Sequence, residues 1–298
     1  MQRRDMISGI SIVGGALALG AGGALGAVSP APGAMLDAYR KILASTRDED
    51  TCCWYLGTMF LRLEGRPDIP VIQAETIMVY RLDSSGAAPR IRWTEIGYFR
   101  DPATGSPATS WLNPLTGRTV PTPRSFRDGP GSYTLAAKND GLAVTLFQTG
   151  ATVEGVETTL TVDGSRLCLH QVERKIREVR ENATAAEIAR LPRAVTTLNL
   201  WADRAEVENP ATTSAAASGS YSFETAGLPG WAGLDGMTGS TIVRGIMRKA
   251  STRDILNPPA WQMMKATYPD FFNADGVAPH RDKIGDKLGD KLGDKSAR

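Results

Sequence analysis

The sequence has few of the side chains on which most catalytic and metal sites depend. It contains two histidines, His170 and His280, and three cysteines. It also lacks the Gly-x-Ser-x-Gly turn of hydrolases, a phosphate loop, a dinucleotide fingerprint and the His-Glu-x-x-His zinc motif. A Ser-His-Asp triad could use only His170, because His280 lies in a polar tail. The sequence therefore favours neither a standard hydrolase nor a nucleotide-dependent enzyme, and it predicts no cofactor.

The three cysteines permit at most one disulfide bridge. Adjacent cysteines rarely bond each other because their geometry is strained, so either Cys52 or Cys53 would pair with Cys168. Cys168 and His170 lie on one face of a predicted strand and could bind a metal together with Cys52 or Cys53. This spacing matches no standard zinc pattern, so we expect buried structural cysteines and no metal site.

The sequence also has no large excess of either positive or negative charge. The formal net charge is only +2, with 34 basic and 32 acidic residues, and no basic run marks a surface that would follow a phosphate backbone. We therefore expect no nucleic-acid partner. Hydrophobic residues make up 42% of the chain, which is enough for a sizeable core.

The amino terminus has the pattern of an export signal. Arg3 and Arg4 precede residues 6–35, which contain no charge and are rich in glycine and alanine. We interpret residues 1–27 as a Tat-type signal peptide cleaved near Ala27, and a membrane-spanning helix is the alternative. The expected mature protein is periplasmic or extracellular and has no stable membrane anchor.

Most of the remaining chain reads as short strands separated by Gly, Pro, Asn and Asp. The predicted strands cover residues 52–64, 71–82, 91–100, 110–112, 118–122, 133–136, 142–148, 151–162, 165–170, 194–201, 221–224 and 239–249. This rhythm predicts a mainly β protein with an antiparallel meander that curls into a barrel or a two-layer sheet to cover its edges. Residues 209–220 are small and uncharged, and we predict a loop there.

A few peripheral helices complete the predicted domain. They cover residues 33–45, 181–191 and 257–265, the last with Asn257 as N-cap and proline at the first helical position. We expect a single β-rich domain over residues 34–275. Residues 276–298 repeat Gly-Asp-Lys units and form a flexible tail, which could instead dock a partner.

One five-residue pattern occurs twice, as Asp101-Pro-Ala-Thr-Gly105 and as Asn113-Pro-Leu-Thr-Gly117. In each copy the first side chain can accept hydrogen bonds from backbone amides two residues on. Proline fixes φ for the next position, and glycine tolerates a positive φ. Each copy therefore predicts a compact hairpin turn.

The stretches Tyr98-Phe-Arg-Asp-Pro-Ala-Thr-Gly105 and Ser110-Trp-Leu-Asn-Pro-Leu-Thr-Gly117 resemble the central signature of the uncharacterised DUF1838 family. Trp54-Tyr-Leu-Gly57 and Leu228-Pro-Gly-Trp231 are similar to weaker family motifs. The segment at residues 125–130 departs from the family pattern, because it keeps the aspartate but displaces the proline. The resemblance spans roughly residues 52–272 and implies an exported bacterial protein in many cases, without a known reaction.

Glu95 is the first candidate for catalysis. Alternation along residues 91–100 places Glu95 on one face of a strand with Trp93 and Phe99, and Tyr98 on the other. A carboxylate in an aromatic pocket could act as a general acid or base, with Tyr98 or Asp128 as a second group. The alternative is a salt bridge from Glu95 to an arginine of the adjacent strand.

Candidate ligand-binding residues are those that combine an aromatic or amide side chain with a neighbouring Gly or Pro. They are Trp54, Tyr55, Trp93, Trp111, Asn113 and Trp231. Aromatic walls with few polar groups are typical of small-molecule pockets, and they are also typical of ordinary β cores.

Three functions follow as hypotheses. The first is binding of a small apolar or aromatic molecule in a β-rich pocket. The second is a cofactor-independent lyase, isomerase or hydrolase that uses a buried carboxylate. The third is an interaction protein that docks through its tail. A carboxylate within reach of a cavity would favour catalysis over simple binding.

Overall fold

A computed structural model of the chain describes residues 32–86, 88–138, 141–177, 191–250 and 258–272. The predicted signal of residues 1–27, almost all of the predicted helix of residues 181–191 and the tail of residues 276–298 lie outside these ranges. The fold and the candidate site are therefore built from the remaining parts of the chain.

The described residues contain twelve β-strands. They are β1 (Asp50–Leu63), β2 (Ile69–Asp83), β3 (Arg90–Arg100), β4 (Ser110–Leu112), β5 (Thr119–Pro121), β6 (Phe126–Lys138), β7 (Gly141–Gln148), β8 (Ala151–Asp163), β9 (Arg166–Arg177), β10 (Arg193–Asp203), β11 (Ala217–Ala226) and β12 (Gly239–Ala250).

Ten of these strands form one antiparallel sheet. Its order is β7-β6-β3-β2-β1-β12-β11-β10-β9-β8, and β4 pairs with β5 in a separate hairpin. Most neighbours are consecutive in the chain, and the pairing of β1 with β12 joins the two halves. The end strands β7 and β8 approach each other, so the sheet is nearly closed into a barrel. The predicted mainly β, antiparallel fold is confirmed.

The helices are few and short. They are α1 (Pro32–Leu43), α2 (Arg204–Glu208), α3 (Pro258–Thr267) and α4 (Pro269–Phe272), with one 3-10 turn at Gly230–Ala232. Tyr39, Ile42 and Leu43 of α1 are fully buried among the inward side chains of the barrel. None of the helices in the described ranges is long and apolar enough to cross a membrane.

Helices α3 and α4 cover part of the outer surface of the sheet. Ile77 of β2 and Ile96 of β3 face outward and pack against Met264 and Phe271 of these helices. Strands β2 and β3 are therefore buried on both faces. This double burial explains why β2 shows no clear alternation of apolar and polar residues.

Three local predictions differ from the structure. Strands β6 and β9 extend beyond the predicted residues 133–136 and 165–170. The predicted loop of residues 209–220 is wrong at its end, because β11 already begins at Ala217. A Cβ at Gly219 would lie 1.8 Å from the carbonyl oxygen of Asn199 on the neighbouring strand β10. The close approach of the two strands therefore requires glycine at this position.

The short helix α2 was not predicted. Asp203 caps its amino terminus, with Oδ1 accepting a hydrogen bond from the backbone N–H of Glu206 at 3.1 Å. A five-residue helix contains too few turns to give a periodic apolar pattern, which is why the sequence did not indicate it.

The one bridge that the sequence allowed, from Cys52 or Cys53 to Cys168, is not formed, and all three thiols are free. Cys52 and Cys53 lie on β1, whereas Cys168 lies on β9, and β12, β11 and β10 separate the two strands. Burial raises the pKa of the Cys53 thiol to about 12, although the nearby Lys249 lowers it. Cys53 is therefore a protonated core residue at neutral pH.

Candidate functional site in the barrel

The two copies of the repeated pattern form turns, as predicted. Asp101 Oδ1 accepts a hydrogen bond from Ala103 N at 2.7 Å, and Asn113 Oδ1 accepts one from Leu115 N at 2.8 Å. Gly105 and Gly117 have φ angles of +72° and +67°, which other residues rarely adopt. The second turn joins β4 to β5.

Asn113 has an additional structural role. Its side chain is fully buried, and Nδ2 donates a hydrogen bond to the carbonyl oxygen of Ala232 at 2.9 Å. This bond fastens the β4–β5 hairpin to the 3-10 turn. Asn113 was a candidate for ligand binding, but its hydrogen bonds hold two loops together, and it does not line the cavity described below.

Glu95 faces the interior of the barrel. It lines an internal cavity together with Phe99, two positions further along β3. The side chain of Tyr98 instead belongs to the cluster under α3 and α4 on the outer surface. The alternation predicted for β3 therefore holds, and it separates Glu95 from Tyr98.

The cavity has a volume of about 270 Å³ and mostly apolar walls. The side chains around it come from six neighbouring strands. They are Tyr55, Met59, Ala74, Thr76, Glu95, Phe99, Phe126, Arg127, Asp128, Tyr221, Phe223 and Val243.

Small inward residues let aromatic side chains of the cavity wall lie directly against the strands. Gly57 is paired with Ala74, and Thr76 is paired with Gly97, so two adjacent rows of the wall lack bulky side chains. A Cβ at Gly97 would lie only 2.3 Å from the Phe126 ring. Any larger residue at position 97 would therefore displace a wall of the cavity.

Two carboxylates meet in the cavity wall. Glu95 of β3 and Asp128 of β6 are direct partners in the antiparallel register, next to an irregularity between Trp93 and Glu95. Both side chains line the cavity. Asp128 Oδ1 accepts a hydrogen bond from Gln148 Nε2 at 2.9 Å. Like charges directly across a strand pair repel each other, so this cross-strand pairing is unfavourable by itself.

Two buried hydroxyls beside these carboxylates lack partners. Tyr55 is 3% exposed and Thr76 is 1% exposed, and both line the cavity. Neither hydroxyl has a hydrogen-bond partner among the described residues. Buried polar groups are paired in the great majority of cases, so these two hydroxyls depart from ordinary core packing.

The phenols of the cavity stay protonated at neutral pH. Burial raises the pKa of Tyr55, and the charge of Glu95 raises it further. The pKa of Tyr221 is raised by burial first and then by Glu95, Tyr55 and more distant carboxylates. Both hydroxyls can therefore donate a hydrogen bond as well as accept one.

A polar network supports Asp128 from inside the barrel. Glu173 accepts hydrogen bonds from Tyr133 Oη at 2.7 Å and from Lys175 Nζ at 3.0 Å. Lys175 Nζ also donates to Gln148 Oε1 at 3.0 Å, and Gln148 donates to Asp128. A continuous chain of hydrogen bonds therefore connects the buried Glu173–Lys175 pair with the cavity.

A smaller cavity of about 20 Å³ lies between this network and the main one. Both cavities are lined by Glu95 and Asp128. Trp93 and Thr196 also line the smaller cavity, and within the described chain neither the Trp93 Nε1 atom nor the Thr196 hydroxyl has a partner. Its size suits about one water molecule. Trp93, a candidate for ligand binding, thus lines the smaller cavity and not the main one.

The outer surface of the same strands holds a different cluster. Glu75 accepts hydrogen bonds from Trp54 Nε1 at 2.8 Å, from Tyr98 Oη at 2.5 Å and from Arg100 Nη1 at 3.0 Å. Arg248 lies 4.7 Å from the centre of the Trp54 ring. Tyr98 and Trp54 were candidate site residues, but the structure brings them together with Glu75 and away from Glu95.

Trp111 and Trp231 form a second layer behind Phe99. Their rings pack edge to face with centroids 6.1 Å apart, and Trp231 lies 5.6 Å from the Phe99 ring. Phe99 itself lines the cavity. The two tryptophans therefore support the wall without being part of its lining.

Sequence reasoning missed most of the cavity lining. Thr76 and Tyr221 were not proposed as site residues, although alternation along β2 places Thr76 on the inward face. Tyr55, named among the aromatic candidates, does line the cavity. A usable signal was the polar run Gln171, Glu173 and Lys175 at alternate positions of β9. Charged or polar residues at the inward positions of a strand, where apolar residues are expected, indicate a polar interior.

The possible metal ligands do not come together. His170 lies on the exposed side of β9, where Nδ1 is 2.6 Å from Asn199 Oδ1. Among the described residues no group of three or more His, Cys, Asp or Glu side chains is arranged to hold a metal ion.

Comparison with known proteins adds no family to this picture, since no family model and no curated protein matches the chain. The resemblance to the DUF1838 family stays a prediction that rests on its motifs. The functional argument therefore depends on the geometry of the barrel interior.

Proposed function

We propose that the protein binds a small molecule with a mainly apolar or aromatic body in the barrel cavity. The observation that carries this proposal is a cavity with apolar walls on which a few polar groups converge. Ligand sites combine these two features and usually measure about 300–1,000 Å³. A volume of about 270 Å³ is close to the lower end of that range and suits a small ligand.

Ordinary core packing does not account for this region. Protein interiors fill their space with side chains and pair their buried polar atoms. Here a cavity of about 270 Å³ stays unfilled, and the hydroxyls of Tyr55 and Thr76 have no partner among the described residues. Both departures from core packing occur in the same wall, which supports a binding role.

Native mass spectrometry of the protein purified from its own host tests this proposal. We expect an added non-covalent mass that disappears under denaturing conditions. Incubation with a small-molecule extract of the same cells extends the test to a ligand that is lost in purification. A bare chain mass in both experiments would contradict the proposal.

A second candidate function is proton transfer on the bound molecule, as in a cofactor-independent lyase, isomerase or hydrolase. The facing carboxylates of Glu95 and Asp128 favour it, because a general acid or base must lie within hydrogen-bond reach of its substrate. Tyr98, the earlier candidate partner of Glu95, is tied to Glu75 on the other face. The phenol of Tyr55 lines the same cavity as Glu95 and takes its place in this hypothesis.

The two candidates differ in what Glu95→Gln would do. Once the ligand is identified, a binding protein with this substitution would at most bind it more weakly. An enzyme would keep binding and lose turnover by about 100-fold or more, as expected for the loss of a general acid or base. Unchanged turnover in Glu95→Gln would exclude a catalytic role for this carboxylate.

Export through the Tat pathway remains a proposal about the amino terminus. The twin arginine and the uncharged residues 6–35 support it. Amino-terminal sequencing of the mature protein should give a start near Ala27, and an intact Met1 in the exported fraction would contradict it.

A further inference from the structure

We propose that the molecule bound in the barrel cavity carries a neutral carbonyl group, whose oxygen accepts a hydrogen bond from the phenol of Tyr55. This inference rests on the proposed function, because it names the chemical class of the ligand for the same cavity. Three features support it: two buried hydroxyls without partners, the fixed position of the Tyr55 ring and the mostly apolar wall.

The two hydroxyls belong to residues that are paired directly across two strands. Tyr55 of β1 and Thr76 of β2 are partners in the antiparallel register, and both line the cavity. Both residues are almost fully buried, and neither hydroxyl has a hydrogen-bond partner among the described residues. A buried polar group that stays unpaired costs stability, and a ligand that pairs it recovers this free energy. The polar end of the ligand is therefore expected beside Tyr55 and Thr76.

The fold holds the Tyr55 ring in one place. Its hydroxyl end lies over Gly57, where the Cβ of any other residue would collide with it. The ring also packs against Tyr221, with centroids 4.6 Å apart and an interplanar angle of 59°. A donor that is fixed in advance loses little conformational freedom when a ligand binds. The phenol is therefore suited to a specific contact with one group of the ligand.

The phenol of Tyr55 is a donor at neutral pH. Burial raises its pKa, and the charge of Glu95 raises the pKa further, so the proton stays on the oxygen. A carbonyl oxygen accepts this hydrogen bond, and its two lone pairs give it the capacity to accept one from Thr76 as well. An alcohol is also an acceptor, but it brings an O–H that needs a partner of its own when it is buried.

The wall favours a neutral acceptor over an anionic one. It is mostly apolar, and burying an ionised group costs far more than burying a neutral one unless a counter-charge pairs with it. Arg127 lines the cavity, but its Nη1 already lies 2.8 Å from Asp270 Oδ2. A carboxylate ligand would have to compete with Asp270 for Arg127, whereas a carbonyl needs only a hydroxyl donor.

Three probes with the same carbon skeleton test the inference: acetophenone, 1-phenylethanol and ethylbenzene. Calorimetry measures their binding to the wild-type protein, to Tyr55→Phe and to the matched control Tyr80→Phe. Tyr80 is also buried, but its hydroxyl donates to Met78 Sδ at 3.5 Å, and it does not line the main cavity. The wild-type protein should bind acetophenone about threefold or more tightly than 1-phenylethanol.

The tyrosine variants locate the contact. Tyr55→Phe should weaken acetophenone binding by about fivefold to tenfold, because one hydrogen bond to the ligand is lost. Its affinity for ethylbenzene should stay the same or increase, since ethylbenzene has no oxygen with which to pair the phenol. Tyr80→Phe should change neither affinity.

Infrared spectroscopy of bound acetophenone, isotopically labelled at the carbonyl carbon, observes the hydrogen bond itself. A hydrogen bond lowers the stretching frequency of a carbonyl group. The band of the bound probe should therefore move to higher frequency in Tyr55→Phe and stay in place in Tyr80→Phe. An unchanged band in Tyr55→Phe would show that the carbonyl accepts no bond from this phenol, which overturns the inference.

The other outcomes separate this inference from the proposed function. If Tyr55→Phe leaves acetophenone binding unchanged or weakens ethylbenzene equally, or if the wild-type protein binds 1-phenylethanol as tightly, the carbonyl inference is wrong and binding in the cavity still stands. If Val243→Phe, which fills the cavity, leaves acetophenone binding unchanged, the probe binds elsewhere and the inference is overturned. If none of the probes binds, the inference is also overturned, and the native mass of the host-purified protein decides the proposed function by itself.

Discussion

Strands β2 and β3 carry a glutamate on each face, and the two glutamates differ in their surroundings. On the outer face, Glu75 is bound by Trp54, Tyr98 and Arg100 and is only 3% exposed. On the inner face, Glu95 lies opposite another carboxylate and borders a cavity. The same residue type therefore lies in two different environments on opposite faces of neighbouring strands.

The difference gives a criterion for telling a structural carboxylate from one that we propose to serve a ligand. The outer cluster satisfies its charge with donors of the chain and is sealed by α3 and α4, so it stabilises the fold. The inner wall combines like charges, unpaired hydroxyls and open space, each of which costs stability. Selection for folding alone would remove such a combination.

The largest expected effect is that of Glu75→Gln. Loss of the charge weakens three hydrogen bonds at once and leaves Arg100 without its carboxylate partner. Removing one member of a buried pair costs about 3 kcal/mol, at the lower end of the usual range because Arg100 is partly exposed. Urea denaturation measures this loss, and a change below about 1 kcal/mol would remove the structural role that we assign to Glu75.

A matched pair of tyrosines gives the next effect. Tyr98→Phe deletes the donor of a 2.5 Å bond to Glu75 and should lower the free energy of unfolding by about 2 kcal/mol. Tyr55→Phe deletes a buried hydroxyl with no partner in the described chain, and it should raise that free energy by up to about 1 kcal/mol. Thermal unfolding of both variants tests the comparison, which fails if Tyr55→Phe is the more destabilising of the two.

The smallest effect on stability is expected for Glu95→Gln. The amide keeps the shape of the side chain and removes the repulsion with Asp128 across the strand pair. The free energy of unfolding should stay constant or rise by about 0.5 kcal/mol in urea denaturation. A loss comparable with that of Glu75→Gln would show that Glu95 stabilises the fold, and the distinction between the two faces would disappear.

The sequence predicted the fold better than the site. Alternation along β3 correctly placed Glu95 and Phe99 opposite Tyr98, because the period of a strand depends only on the backbone. Turn chemistry correctly predicted the roles of Asp101 and Asn113, since these hydrogen bonds are local. The spacing of the strands predicted a barrel or a two-layer sheet, and the sheet is nearly closed into a barrel.

The composition of the site depends on contacts between distant residues, which alternation does not supply. Trp54 seemed suited to a pocket wall, but α3 and α4 bury the outer face of β1 and draw it into the Glu75 cluster. In the sequence Thr76 resembles an ordinary strand residue. Its position in the cavity wall follows only from the pairing of β2 with β3, which places Gly97 beside it. A sheet with both faces buried gives no sequence signal for which face encloses space.

Native mass spectrometry of a matched pair of valine variants tests the central claim most directly. Val243→Phe fills the cavity, whereas Val195→Phe adds the same volume at a position that is 37% exposed on β10. Both variants and the wild-type protein would be purified from the native host in the same way. The account predicts an added mass on the wild-type and Val195→Phe proteins and a bare chain for Val243→Phe. An added mass that persists on Val243→Phe, or one that is absent from the wild-type protein, would contradict it.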